Sequence, residues 1–264
     1  MERRRFLTSS LAASAVALAG KSRAQTSAGK PREFYELRKY HLQSGPQTKL
    51  TAHYLSDALI PALNRLGMSP IGVFNLTYGP ETPTIYVLIP GSSLEALATA
   101  ELHLGKDEEF LKAAATFWDA PAKEPAFVRV ESEILIAFEG WPKLVVPALS
   151  AQHSKRIFHL RTYESPSHQD HLRKIEMFHS GEFDFFQRAN CAPVFFADCL
   201  IGSRLPKLTY MLSFADMAAL EKGWDGFMND PGWKKLQASP HFSFEPIVSN
   251  VSNLVLTPTA YSQI

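Results

Sequence analysis

Two short stretches set side chains able to do chemistry at one and the same spacing: Glu36-Leu37-Arg38-Lys39-Tyr40 and His159-Leu160-Arg161-Thr162-Tyr163. Alternate residues of a strand share a face. If both stretches are extended, Glu36, Arg38 and Tyr40 lie together, and His159, Arg161 and Tyr163 lie on the corresponding face of the other. Turned toward a cleft, such a set would grip an anionic or enolate oxygen through arginine and donate a hydrogen bond through tyrosine. His159 would move a proton near neutral pH. His159, Arg161 and Tyr163 are therefore the candidate catalytic residues, and Arg38, Tyr40, Arg161 and Tyr163 are candidates for holding a ligand. The competing reading is structural: Arg38 pairs with Glu131 or Glu133 on a neighbouring strand. Because Glu36 stands where the second stretch has His159, the two sets cannot run the same proton chemistry. An active site is expected in the second.

Of the nine histidines, His168 and His171 sit near a helix start, with His179 eight residues further on. Their spacing suits a metal, but no Asp, Glu or Cys set completes it, and a solvent-facing helix start explains them better; no metal site is expected. No cofactor is predicted. Haem is the one kept in view, with His179 as its axial ligand, although the chain has no C-x-x-C-H attachment motif, phosphate-binding glycine loop or G-x-S-x-G elbow. Trp224, Phe227 and Trp233, at spacings of three and six, either line a pocket or fill a core; Trp224 joins the ligand-binding candidates. Cys191 and Cys199 flank an apparent strand start. Extended chain would part them by more than about 20 Å, too far for a disulfide, so two buried thiols are expected.

The elements that position these residues come from a duplication. The two opening stretches lie 123 residues apart, and the same offset pairs Arg65 with Arg188, Gly67 with Asn190, Pro70 with Pro193, Leu97 with Leu220, and Asp107 with Asp230. The offset drifts to 124 at Tyr86 and Tyr210, and to about 120 at the last strands. Each copy reads as strand (34–40; 156–163), helix, two strands (71–78 and 84–89; 194–201 and 207–214), helices, and a final strand (126–138; 247–256). Gly67 and Asn190 close the first helix of each copy, being the residue types that accept a left-handed cap. Ser92-x-x-Glu95 reads as a capping box, Ser213-x-x-Asp216 as a looser one, and Asp230-Pro231 as an N-cap with proline behind it.

That order is ferredoxin-like. Its sheet carries helices on one face only, so the bare face of each copy must bury itself on the other. The expected fold is α+β: two tandem ferredoxin-like domains, 33–140 and 156–264, joined by a connector at 141–155. They would pack through their sheets as an intrachain pseudo-dimer, either face to face or curled into one barrel.

Ahead of them, Arg3-Arg4-x-Phe6-Leu7 opens an uncharged run from Phe6 to Gly20 that ends at Ser22-Arg23-Ala24. A basic head, short apolar middle and small-residue end make a secretory signal of the twin-arginine type over residues 1–24, followed by a linker at 25–32. The expected location is the periplasm or outside the cell, with cleavage after Ala24 or near Ala19. Removing this segment takes away five basic residues and Glu2, leaving 22 basic and 25 acidic, a net charge of −3. A mildly acidic chain without a basic stripe excludes a nucleic-acid partner, and no membrane span is expected once the signal is gone.

The strand Glu36-Leu37-Arg38-x-Tyr40 and its twin resemble the opening of NIPSNAP domains. So do Trp224-x-x-Phe227-x-x-Asp230-Pro231-x-Trp233 and the tail Leu254-x-Leu256-Thr257-Pro258-Thr259-Ala260-Tyr261-Ser262. The first copy departs from the pattern, with Asp107-Glu108-Glu109-Phe110 where the second has Asp230-Pro231-Gly232-Trp233. The resemblance implies the dimeric α/β-barrel superfamily fold, made here within one chain. That superfamily holds haem-degrading and quinone-forming monooxygenases, haem peroxidases and small isomerases beside proteins without known chemistry, so fold does not fix function. Two readings follow. One is a protein that binds a small apolar or quinone-like ligand or a partner protein, with self-association through surfaces left free. The other is a monooxygenase-like or haem-dependent oxidoreductase with its site in the sheet–helix cleft of the second domain.

Overall fold

The computed structural model describes residues 31–264; the export signal read at residues 1–24 lies outside them. Eight strands run in the order expected of a duplicated unit: β1 Phe34–His41, β2 Gly72–Tyr78, β3 Thr84–Gly91, β4 Arg129–Ala137, β5 Ile157–Glu164, β6 Ala192–Ile201, β7 Lys207–Phe214 and β8 Asn250–Pro258. Within each half the strand order is ferredoxin-like, β4-β1-β3-β2 and β8-β5-β7-β6, and the halves join edge to edge, β2 on β8 and β4 on β6. The two sheets therefore close one barrel rather than stacking as flat layers.

Strand alternation sorts the side chains. Tyr35, Leu37, Phe74, Phe158, Leu160, Phe195 and Met211 fill the barrel lumen, whereas residues of the opposite parity face the helices. Those helices are α1 (46–65), α2 Leu94–Leu104 and α3 Glu108–Trp118 in the first half, and α4 (168–188), α5 Met217–Asn229 and α6 Pro231–Gln237 in the second. Each trio covers an apolar cluster of its own, one around Leu55, Leu63, Val87 and Phe110, the other around Phe178, Phe186, Tyr210 and Phe227. Both α1 and α4 contain a π turn, Tyr54–Leu59 and Phe178–Glu182. In α4 the departure centres on Gly181, whose φ of 137° is open to glycine alone among common residues.

The cap predicted at Gly67 and Asn190 is present in both halves, with φ of 79° and 57°. Asp107 and Asp230 cap α3 and α6 by accepting from backbone N–H groups of the first turn. The capping boxes differ from expectation by register. Ser93, not Ser92, caps α2, and Asp216 itself caps α5. The final strands begin later than read, at Arg129 and Asn250; the second is delayed by a helical turn at 244–247 and the first by turns and bends over 121–128. Tyr86 and Tyr210 are not counterparts either: Tyr86 points into the lumen, while Tyr210 sits opposite Arg161 as Val87 sits opposite Arg38, so the offset stays at 123. The connector is pinned rather than free, with Leu144 N–H donating to Glu33 and Val145 N–H to Val194. Among the described residues no helix is long and apolar enough to cross a membrane.

The shared cap yields a stability test. Gly67→Ala and Asn190→Ala should each cost about 1 kcal/mol, the usual penalty for a Cβ in the left-handed region, whereas Asn190→Gly should be neutral or stabilising. Chemical denaturation of the three variants measures it.

Candidate functional site

In the second half, a cleft of about 560 Å³ opens between β5 and helices α4–α6, walled by Trp224, Phe227, Trp233 and Phe244 and edged by Arg161, Tyr163 and Glu182. His159, Arg161 and Tyr163 share one face, as the spacing predicts, and with Phe158 and Leu160 in the lumen that face is the helix-facing one. The Arg161 guanidinium lies 4.2 Å from the ring centre of Trp224, and its Nε is buried without a hydrogen-bond partner. Among the described residues no carboxylate forms a salt bridge with it. Burial opposes its charge, but the neighbouring Tyr210, Tyr163 and Glu182 outweigh that and keep it protonated. Trp233 Nε1, in the same wall, is also buried and unpartnered. Tyr163 and Tyr210 share a hydroxyl–hydroxyl hydrogen bond of 2.7 Å.

His159 holds the arrangement from behind. Its Nδ1 accepts from the Trp224 indole N–H at 3.0 Å, and its Nε2 meets Asn253 Oδ1 at 3.2 Å. An indole nitrogen only donates, so Nδ1 is bare and Nε2 carries the hydrogen. Burial, reinforced by Arg161, pushes its pKa down to about 4. This does not match the expected proton shuttle near neutral pH: both ring nitrogens are engaged, and the ring stays neutral while it orients Trp224.

Beneath the cleft lies a charged pair that sequence reading missed. Lys174 Nζ donates to Glu182 at 2.5 Å, with the two side chains 1% and 2% exposed. The ammonium is ringed by Tyr163, Phe178, Trp233 and Phe244, each ring centre 4.7 to 5.6 Å away. Burial raises the Glu182 pKa, against the pull of Lys174 and Arg161. At the 123-residue offset these positions are Thr51 and Leu59, equally buried. Scanning the repeat for positions apolar or small in one copy and charged in the other would have found them.

The first half has turned the same positions inward. Arg38 donates to both oxygens of Glu36, at 2.7 and 3.1 Å, and to Tyr40 Oη at 3.2 Å, and pairs with Glu101 at 2.8 Å. Glu101 is the counterpart of Trp224. With every guanidinium nitrogen engaged, Arg38 and Tyr40 do not offer the binding site expected of them. The proposed pairing of Arg38 with Glu131 or Glu133 is also corrected. Arg38 lies opposite Ser132, so those glutamates face the lumen, where they meet Lys39 and Lys207. There a second cavity, of about 420 Å³, opens at the barrel mouth. Its charges are already paired with one another, Lys207 with Glu133 at 2.6 Å and Lys39 with Glu131 at 3.3 Å, which leaves less for a ligand to satisfy.

The remaining candidates scatter. His168 is exposed, and His171 bonds Asp198 at 2.7 Å. His179 Nδ1 contacts the Ile175 carbonyl while its Nε2 accepts from Gly140 N–H. No lone pair of His179 remains to ligate iron, so His179 does not fit the role of an axial haem ligand. Among the described residues no three His, Cys, Asp or Glu side chains gather as a metal site. Cys191 and Cys199 are free buried thiols, both pushed up to about 12 by burial.

With this geometry in place, comparison with known families is direct: the NIPSNAP family profile matches twice, over residues 35–139 and 158–263. The chain belongs to the NIPSNAP family. Comparison with curated proteins finds no match. Among solved structures, a protein provisionally named a monooxygenase from Lactobacillus acidophilus is similar at 10% identity and a TM-score of 0.56, over 86% of this chain and 94% of that one. A second protein named in the same way, from Fusobacterium nucleatum, is similar at 7% identity and 0.54, over 87% and 93%. An anthrone oxidase-like protein follows at 10% and 0.50, over 88% and 93%. At such identities these likenesses establish the NIPSNAP chain's fold and nothing of its chemistry.

The depressed His159 pKa has a pH signature. Unfolded histidine titrates near 6.5, so between pH 6.5 and about 4 the unfolded chain takes up a proton that the folded one refuses. Stability from this group is complete above pH 6.5 and lost as pH falls toward 4, by up to about 3 kcal/mol. Glu131, held down to about 2 chiefly by Arg129, adds its own loss only below its ordinary value. Urea melts from pH 7 to 4.5 should show the loss in the native chain and little of it in His159→Gln; parallel curves would remove His159 from this role.

Proposed function

We propose that the second-half cleft binds a small, largely apolar ligand that carries an acceptor oxygen, of the quinone or phenolate kind. The observation that carries this reading is the pair of orphaned donors, Arg161 Nε and Trp233 Nε1, buried in one aromatic wall. A buried donor without a partner costs about 1–3 kcal/mol, and a ligand oxygen reaching either one would relieve that cost. The aromatic walls supply stacking area for a flat ring. Arg161, Tyr163 and Trp224 are the contacts proposed from the original candidates, joined by Trp233.

The test pairs two arginines. Menadione, titrated against the purified protein by tryptophan fluorescence, should bind at least about tenfold more weakly to Arg161→Ala, in keeping with loss of a charge-assisted hydrogen bond, with little change in melting temperature. Arg38→Ala should leave binding intact but lose about 3–5 kcal/mol of stability, because Glu36 is stranded in a buried site. Equal binding by the native chain and Arg161→Ala would end the assignment.

A second reading is an oxidoreductase acting in the same cleft, drawn from the names of the similarly folded proteins. The absorption spectrum of the purified protein and its rate of quinol oxidation separate the two; a flavin or Soret band or oxidation faster than in buffer would favour the enzyme.

The proposed setting is export by the twin-arginine route, supported by Arg3-Arg4-x-Phe6-Leu7 and the apolar run behind it. Replacing Arg3 and Arg4 by lysine should abolish appearance of the processed chain in the periplasmic fraction, and unchanged processing would reject the route.

A further inference from the structure

A buried ion pair is a poor means of stabilising a fold, since apolar residues of similar size often do as well or better. The first half, whose own buried pair Arg38–Glu36 lies on its first strand, has none at this place: Thr51 and Leu59 occupy, fully buried, the positions of Lys174 and Glu182, under the same helix cap and beside the same kind of π turn. The fold therefore does not require the pair. It occurs in the half whose cleft is open, and Glu182 forms part of that cleft's lining.

Around Glu182 the cleft brings together a carboxylate and two donors that lack partners. Arg161 and Trp233 offer two unsatisfied N–H donors in the wall that Glu182 shares. A ketone oxygen held there would place its neighbouring carbon within the cleft that the carboxylate lines. Lys174, caged by four aromatic rings, holds the carboxylate in place by one hydrogen bond and leaves its other oxygen uncommitted. His159, with both nitrogens engaged, is not available for the task.

We infer that Glu182 is a catalytic acid–base residue of this cleft, positioned by Lys174, and that the ligand class is an enolisable aromatic ketone. The step is a proton transfer. The α-carbon C–H bond breaks, its electron pair becomes the enolate, and the proton forms an O–H bond on Glu182. Arg161 and the Trp233 N–H face the enolate oxygen. Return of the proton to carbon gives back the ketone or its isomer, and no oxidant or other co-reactant enters. This deepens the proposed ligand site and rests on it.

The experiment uses 2-tetralone, a flat ketone with acidic α-hydrogens, and the purified protein in deuterium oxide. Binding is followed by tryptophan fluorescence, and loss of the α-proton signal by NMR. The native chain should bind the probe and speed exchange over buffer; Glu182→Gln should still bind it and lose about 10²-fold or more of that acceleration. Because Glu182→Gln strands Lys174 and could unfold the half, the double variant Lys174→Thr with Glu182→Leu, which installs the first half's residues, provides a second route. It should fold and bind the probe without accelerating exchange. Binding with exchange no faster than buffer, or native-like exchange in either variant, overturns the acid–base role and leaves the binding site standing. Failure of the native chain to bind the probe overturns both.

Discussion

Two strand seams, β2 on β8 and β4 on β6, decide what the rest of this molecule can be. A four-stranded sheet with helices on one face has an apolar back and two edges with unpaired backbone groups, and both are liabilities in water. Closing two such sheets on each other removes the edges and dries the backs in one lumen around Leu37, Phe158 and Met211. Only then does strand alternation acquire a meaning on the outside. Residues that point away from the lumen must meet the helices, and Arg38, His159, Arg161 and Tyr163 are among them.

The duplicated plan was legible because it repeats demands of the backbone as well as residue names. Gly67 and Asn190 differ chemically yet meet the same left-handed cap, and Asp107 and Asp230 cap the same helix. That His159, Arg161 and Tyr163 share one face followed from spacing alone; that this face meets the helices did not, since parity does not say which side of a sheet is covered. What did not follow was where each arginine spends its charge. Arg38 finds Glu101 on a helix far along the chain, and Arg161 finds Trp224 at the equivalent place. Such choices depend on which side chain of α2 or α5 leans over the strand, and short-range patterns are blind to that. Lys174 and Glu182 escaped notice for a related reason: on a helix, polar residues spaced eight apart read as a solvated face until the packing shows them buried.

The two halves thus use one backbone to opposite ends. In the first, Arg38, Glu36, Tyr40 and Glu101 close a polar network that ties strand to helix. In the second, an indole replaces a carboxylate, a histidine replaces a glutamate, and the guanidinium is left with an aromatic face and an empty valence for hydrogen bonding. His159 stays neutral because burial and Arg161 make its protonation costly, which in turn keeps Trp224 fixed over the arginine.

Joining the two copies in one chain has a consequence for occupancy. A barrel built from two separate identical chains carries two identical clefts, and any change to one is forced upon the other. Here a substitution reaches one cleft only, so one half was free to become a strut while the other stayed hollow. The two halves are therefore unlike where identical chains would be forced to match: a guanidinium held by carboxylates on one side, and one stacked on an indole on the other.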